Sequence, residues 1–285
     1  MTYQELYHGL CTRLHRAGIE NETLEARELL CKAARLSREQ FFRDRMGEAP
    51  AAAGEAVEEL LQRRLSGEPL AYLTGEWEFY GLTLRVSPSV LIPRIDTEVL
   101  ADLAITEGRK LPKPARILDL CTGSGCIGLS VTAHVPGSEG ILCDLSPDAL
   151  AVAEENVRRC GLEDRVRCIR ADARQRPPEE LGQFDLLTCN PPYIPAGDIA
   201  GLDLTVRGFE PHMALDGGAD GLDFYREITA QWKNVLKPGG LLFYEVGIGQ
   251  AEDVGAILAE NGFSVHTCRD TQDIARVVWG RKLQD

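Results

Sequence analysis

Asn190-Pro191-Pro192-Tyr193 stands at the end of the apolar run FDLLTC, and its residue types ask for a chemical explanation. Proline has no N–H and pushes the residue before it out of helical geometry, so two prolines in a row can simply end a strand. That accounts for Pro191 and Pro192 but not for the amide before them or the phenol after them. An amide or exocyclic amine nitrogen is a weak nucleophile because its lone pair is delocalised. To react it must be held through both N–H bonds with the lone pair aimed at an electrophilic carbon. The Asn190 side-chain oxygen can accept one N–H, and the Pro191 carbonyl, on a backbone stiffened by Pro192, can accept the other. As the nitrogen gains positive charge these acceptors bind it more strongly, which favours the transition state over the ground state. Tyr193 offers an aromatic wall to the same planar group.

A second chemical signature precedes it. In DLCTGSGCIG, Gly123, Gly125 and Gly128 satisfy G-x-G-x-x-G, and Asp144 ends the next apolar run 19 residues past Gly125. Glycines let a backbone approach a nucleotide closely, and a carboxylate at a neighbouring strand tip accepts hydrogen bonds from ribose hydroxyls. Taken alone, the pattern serves a dinucleotide or a methyl-donating nucleoside equally well. Asp119, Asp144 and Asp172 are expected at successive strand ends, which argues for a ligand edge over a plain tight turn. Hydride transfer has no use for Asn190-Pro191-Pro192-Tyr193 on the same edge, whereas methylation of a planar NH2 group does.

These residues need a scaffold. Up to Gly75 the pattern is helical: Leu6, Leu10 and Leu14 recur every four residues and Gly18 stops them, while Leu24, Leu29, Leu30 and Ala33 form a second stripe. Ser37 with Gln40 three residues on is a capping-box arrangement. EAVEELLQRRLSG makes a fourth helix, and Pro69 opens a short fifth. Residues 76–86 alternate around Tyr80-Gly81, which predicts a hairpin. From Arg116 the runs RILDL, GILCDL, VRCIRAD, FDLLTCN and GLLFYEV are continuously apolar and separated by helical segments, as a parallel sheet covered on both faces requires. FSVHTCRD and ARVVWGR are too close together for a crossover helix, so that pair must be antiparallel. The expected organisation is a helical domain over 1–75, a hairpin linker over 76–95 and an α/β domain over 96–285.

Composition narrows the functions open to such a chain. At 285 residues, 44% hydrophobic and 26% charged, it can bury one large core and one small one. Residues 1–75 carry 10 Lys and Arg against 12 Asp and Glu, which leaves −11 of the −13 net charge on residues 76–285. Proteins that grip phosphate backbones carry a basic excess or stripe, so direct nucleic-acid binding is not expected. The nine cysteines form no C-x-x-C pair and have no histidine at ligand spacing, so reduced and mostly buried thiols are expected, with no metal. The N-terminal MTYQELYHGL lacks a signal-peptide plan and no apolar run approaches bilayer length, so no membrane association and a cytoplasmic location are expected.

The TCNPPYI stretch is similar to the D/N/S-P-P-Y/F motif of amino-methyltransferases that act on adenine, guanine or glutamine amides with S-adenosylmethionine (SAM). The wider chain resembles the PrmC/HemK family, protein-(glutamine-N5) methyltransferases of class I peptide chain release factors. The matching stretches are GEPLAYLTGEWEFYGL, VSPSVLIPRIDTEVL, ILDLCTGSG, TCNPPYI, FEPHMALDGGADGLDFYREI and LKPGGLLFYEVGIGQ, which cover most of residues 67–250. The resemblance implies a Rossmann-like SAM-dependent methyltransferase fold, a seven-stranded mostly parallel sheet with an antiparallel last strand, preceded by a small helical domain that binds the release factor. DNA or RNA amino-methyltransferases share the motif, but the acidic charge disfavours them, and a non-catalytic nucleotide-binding module would not need Asn190 and the glycine turn intact.

Carried over position by position, the resemblance implies that Cys121, Thr122, Gly123, Ser124 and Gly125 line the methionine part of SAM. Asp144 would hold the ribose, and Asp172 and Ala173 would flank the adenine. Asn190, Pro191, Pro192 and Tyr193 would hold the acceptor glutamine of a Gly-Gly-Gln tip, with Asn190 also near the sulfonium. Two positions depart from the family pattern. Cys121 stands where glycine is usual, and its small side chain should be accommodated provided the residue is not needed at positive φ. Ile95 replaces the second proline of the loop carrying Arg94, Asp96 and Glu98, and is expected to loosen it. Arg94 and Glu98 are candidates either to close over SAM or to cap the helix starting near Asp96. Phe209-Glu210-Pro211 reads as a lid or a plain surface loop, His212 as incidental, and Glu245 as a ligand contact or a solvated strand-end carboxylate.

Overall fold

The computed structural model describes residues 1–283. It contains two compact units.

The first unit comprises residues 1–76 together with Leu204–Phe209. Its helices are α1 (Tyr3–Arg16), α2 (Glu22–Ala34), α3 (Arg38–Asp44), α4 (Ala51–Leu65) and α5 (Leu70–Thr74). The Ser37–Gln40 capping box is formed at α3, and a second one, Thr2 with Glu5, starts α1. Leu10, Leu14, Leu29, Leu30, Phe41, Val57 and Leu61 meet in one core. Leu24, assigned by its spacing to the buried stripe, is instead 47% exposed, because α2 turns Ala26, Leu29 and Leu30 inward. The sequence reading gave residues 204–208 no place and put Phe209 in a lid or surface loop, whereas both belong to this unit. A Cβ built on Gly67 would lie 3.4 Å from the Phe209 ring, so this glycine leaves room for the aromatic.

The second unit starts at Trp77, inside strand β1 (Glu76–Phe79), which pairs with β2 (Leu82–Arg85) across Tyr80 and Gly81, both at positive φ. Two successive left-handed residues are what a tight two-residue hairpin demands. Phe79 and Leu84 are buried in the core of this unit. Strands β3 (Ala115–Leu120), β4 (Ser138–Asp144), β5 (Val166–Arg170), β6 (Phe184–Cys189), β7 (Leu236–Glu245), β8 (His266–Arg269) and β9 (Ala275–Arg281) form a seven-stranded sheet in the order β5-β4-β3-β6-β7-β9-β8. The first five strands run parallel, and β9 pairs antiparallel with both β7 and β8. Helices α6 (Thr97–Gly108), α7 (Cys126–His134) and α8 (Pro147–Arg159) cover one face, while α10 (Asp223–Trp232) and α11 (Ala251–Glu260) cover the other. The short α9 (Leu204–Arg207) belongs to the helical unit. Every residue of β6 is buried, which is why that run shows no alternation.

Register, more than strand identity, positions the chemistry. Leu120 pairs with Cys143 on one side and Cys189 on the other, and Cys189 pairs with Tyr244. The residues one step beyond this tier are Cys121, Asp144, Asn190 and Glu245. They therefore emerge together at the carboxyl edge, where strand order reverses between β3 and β6 and where ligands bind in open α/β sheets.

Candidate active site at the strand tips

A cavity of about 560 Å³ opens at this edge, within the range for a nucleoside-sized ligand. Cys121, Thr122, Gly123, Ser124, Asp144, Asp172, Ala173, Asn190 and Pro192 all line it. Gly125, Pro191 and Tyr193 do not. Gly125 serves from behind: it begins α7 at φ +84°, a conformation that strongly favours glycine. Gly128 faces the sheet, where a Cβ would stand 2.3 Å from Leu142 and 2.8 Å from the Asp119 Cβ, so the third glycine of the fingerprint is a packing requirement.

The three acids have different roles. Asp119 does not reach the cavity; it is wholly buried and accepts from Thr122 Oγ1 at 2.5 Å, Thr188 Oγ1 at 2.6 Å and Gly128 N at 3.2 Å. Burial pushes its carboxyl up to about 6, with the two threonines and the Gly128 amide pulling the other way. It ties the glycine turn to β6 and is structural, contrary to the reading of three acids facing one ligand. Asp144 does face the cavity; it accepts from Gly123 N at 2.9 Å through Oδ2 and from Ser146 N at 3.0 Å through Oδ1. Each carboxylate oxygen keeps a lone pair free for a ligand hydroxyl. Asp172 accepts from Arg174 N, which orders the turn after β5.

Cys121 sits at φ +53°, the left-handed region in which a side chain costs about 1–2 kcal/mol. The condition attached to this substitution is therefore not met: the position wants glycine, and the cysteine holds a glycine conformation. The Ile95 loop, expected to be loose, is tied down from several directions. Ile95 itself is 81% exposed, while Trp77 Nε1 donates to Pro93 O at 3.0 Å, Arg94 pairs with Glu210, Asp96 pairs with Arg276 at 2.9 Å and Glu98 accepts from Tyr80 N at 2.8 Å. Glu98 is thus spent on the hairpin turn, whereas Arg94 lines the cavity. Glu210 is buried and also accepts from Ile92 N, so this part of the supposed lid is an anchor. His212 lines the cavity with Pro211 and Met213.

The strand end holding Asn190 is clamped from behind. Ile194 exchanges backbone hydrogen bonds with Leu215 and Gly217, and a Cβ on Gly217 would fall 2.7 Å from the Tyr193 Cα. Gln250 Nε2 donates to Tyr193 O at 2.9 Å and to Gly221 O at 3.3 Å, while its Oε1 accepts from Gly247 N at 2.9 Å. Among the described residues no donor takes the Pro191 carbonyl or the Asn190 side-chain oxygen. Both oxygens therefore lack an internal donor, and the backbone just beyond them is fixed by the Ile194 and Gln250 hydrogen bonds.

Several contributors had no readable signal. Asn156 on α8 is fully buried and donates to Ser124 O at 2.8 Å and Arg85 O at 3.0 Å while accepting from Arg85 N, so it fastens the glycine turn to the hairpin. Leu145, in the loop after β4, lines the cavity from outside any quoted motif, and Ser89 and Phe224 line it from stretches whose resemblance was noted but to which no role was given. Glu245 is only 3% exposed, not solvated, and burial pushes its carboxyl up to about 7.

A family model described as PrmC N-terminal domain matches residues 5–75, and one described as methyltransferase small domain matches residues 100–204. The release factor glutamine methyltransferase of Geobacter sulfurreducens is 41% identical over 271 residues, covering 94% of this chain and 92% of its own. This chain belongs to the release factor glutamine methyltransferase family. The Bradyrhizobium diazoefficiens relative of the same description is 38% identical over 281 residues, covering 96% of this chain and 93% of its own. Among solved structures, the hMettl16 catalytic domain matches with a TM-score of 0.58 at 15% identity, over 80% of this chain and 83% of its own, which speaks to the fold alone. Family membership agrees with the seven-stranded methyltransferase sheet and makes the chain an enzyme that methylates protein glutamine.

Proposed function

We propose that this protein transfers the methyl group of SAM to the side-chain amide nitrogen of the glutamine in the Gly-Gly-Gln tip of class I peptide chain release factors. Bound SAM supplies an electrophilic methyl on a sulfonium sulfur. The donor set fits that group: a glycine turn for close approach, Asp144 for ribose hydroxyls, and Asp172 with Ala173 beside the adenine. The observation that carries the acceptor side is the pair of free acceptors at one clamped strand end, the Asn190 side-chain oxygen and the Pro191 carbonyl.

With the glutamine amide bound, each acceptor takes one N–H, which turns the nitrogen lone pair toward the methyl carbon. Both attractions grow as positive charge develops on nitrogen. Pro192 keeps the Pro191 carbonyl from swinging, and Tyr193 walls the amide plane. No general base is needed, because the methylated nitrogen is strongly acidic and loses its proton to water. The helical unit over residues 1–75 is assigned to gripping the release factor, and the partner places the reaction with the translation machinery in the cytoplasm. Among the described residues no helix is long and apolar enough to cross a membrane.

The test is to incubate the protein with SAM and an unmethylated class I release factor and to locate the added mass by peptide mass spectrometry. Methyl on the Gly-Gly-Gln glutamine is the expected result. SAM binding without methylation of the factor, together with methyl incorporation into DNA or RNA, would overturn the reading in favour of a nucleic-acid amine.

A further inference from the structure

We propose that Glu245 is a positioning residue for methyl transfer: its carboxylate, at the strand tip beside Asn190, holds the Asn190 amide with Nδ2 turned toward Glu245 and Oδ1 left for the acceptor glutamine. The inference rests on Asn190 holding that glutamine.

Three observations carry it. The pairing of Cys189 with Tyr244 sets Asn190 and Glu245 side by side one step beyond the last rung of β6 and β7. Glu245 Oε2 and the neighbouring Thr97 Oγ1 are both sealed from solvent, and among the described residues neither has a partner in hydrogen-bond geometry. Thr97 also lines the cavity, so this unmet polarity lies at the site and not elsewhere in the core. A buried carboxylate oxygen without a partner is costly, and its natural use is to engage a group that must be oriented.

An asparagine amide presents nearly the same shape with its oxygen and nitrogen exchanged, so sterics alone do not choose its orientation. An ionised carboxylate only accepts hydrogen bonds and therefore selects Nδ2. A protonated carboxyl can donate instead, which draws Oδ1 toward Glu245 and presents Nδ2 to the glutamine N–H, donor against donor. Burial pushes Glu245 up to about 7, with the Arg276 charge pulling the other way, so both states are accessible near neutrality. The surrounding charged and titratable groups are Arg276 on β9 with its partner Asp270, Asp96 and Arg94 on the loop before α6, Tyr193, Cys126 at the start of α7, and Tyr225 on α10, whose hydroxyl donates to Glu245 O at 2.8 Å.

The experiment measures single-turnover methylation of a release factor from about pH 5.5 to about pH 8.5 for wild type, Glu245→Gln and Glu245→Asp, with SAM affinity by calorimetry and the protonated-carboxyl infrared band in parallel. The expected wild-type rate falls on the acid side with an apparent pKa near 7, matched by an infrared band that Glu245→Gln removes, while SAM affinity stays level. Glu245→Gln should turn over about tenfold more slowly and without that acid limb, and Glu245→Asp should keep a limb. A wild-type rate that is flat through neutral pH, or an acid limb that survives in Glu245→Gln, overturns the inference and leaves the acceptor assignment standing. A wild type that binds SAM but methylates no release factor at any pH overturns that assignment, and the inference with it.

Discussion

Two buried carboxylates stand near the carboxyl ends of β3 and β7, the strands that flank β6, and they are treated oppositely. Asp119 on β3 is met by three donors, two hydroxyls and an amide, and stands back from the cavity. Glu245 on β7 is just as buried, yet one of its oxygens lacks any partner among the described residues and its neighbours are Asn190 and Thr97. A satisfied buried carboxylate rigidifies its surroundings, whereas an unsatisfied one is held ready for a group that arrives or turns. The nucleotide half of the site is thus braced from behind by a satisfied carboxylate, and the acceptor half is backed by an unsatisfied one.

Removing the open valence at the acceptor itself should give the largest effect. Asn190→Ala is expected to lower the methylation rate by roughly 10²–10³-fold, the usual loss for one transition-state partner, with SAM affinity retained. Rate assays beside calorimetry would separate the two; equal losses in both would merge the halves that the comparison keeps apart. On the closed side, Asp119→Ala strands two hydroxyls and the Gly128 amide, which should cost about 3 kcal/mol in urea unfolding and weaken SAM binding through the loosened Thr122. An unchanged unfolding midpoint would show that Asp119 is not the staple described.

The pH dependence of stability comes next. Asp119 at about 6 and Glu245 at about 7 both lie above the ordinary carboxyl range, so the folded chain keeps protons that the unfolded chain gives up. Their contribution to stability is therefore fully present at acid pH and declines as pH rises through these values. Glu245→Gln removes one of the two titrations. It should stabilise the fold by about 2 kcal/mol at pH 8 relative to wild type and by much less at pH 5, read from denaturant titrations at the two values. A gain independent of pH would deny the buried charge. The smallest effect belongs to Cys121→Gly, which relieves a left-handed side chain but adds freedom to the unfolded state. The two nearly offset, so thermal unfolding should move by less than about 1 kcal/mol while SAM affinity rises slightly.

Much of this site was legible because its signals are local. Tyr80-Gly81 announced a tight turn, the Ser37–Gln40 box announced a helix start, and both follow from dihedral preference and short-range hydrogen bonding. Asn190-Pro191-Pro192-Tyr193 declared its chemistry because a side-chain oxygen followed by a stiffened backbone carbonyl can accept both N–H bonds of a planar NH2 group. Other residues were misread where a partner distant in sequence decides the outcome. Asp119 looked like a ligand acid until Thr188, 69 positions away, closed over it. Ile95 looked like a loosening change until Glu210 and Arg276 pinned its loop. Glu245 stayed open between a ligand contact and a solvated carboxylate because nothing in FYEVG reports that α6 and the loop before it bury its carboxyl.

The amino-acid sequence alone determined most of the elements that form and which chemistry stands at the end of β6, while the family resemblance came from the longer stretches over residues 67–250. The elements and the chemistry rest on spacing, backbone freedom and the donor or acceptor character of single residues. Only the tertiary structure decided that Cys121, Asp144, Asn190 and Glu245 share one tier, that Asp119 is spent inside the fold, and that Glu245 is buried with a free oxygen. Strand register and burial are set by contacts between segments far apart in the chain, and no local pattern carries them.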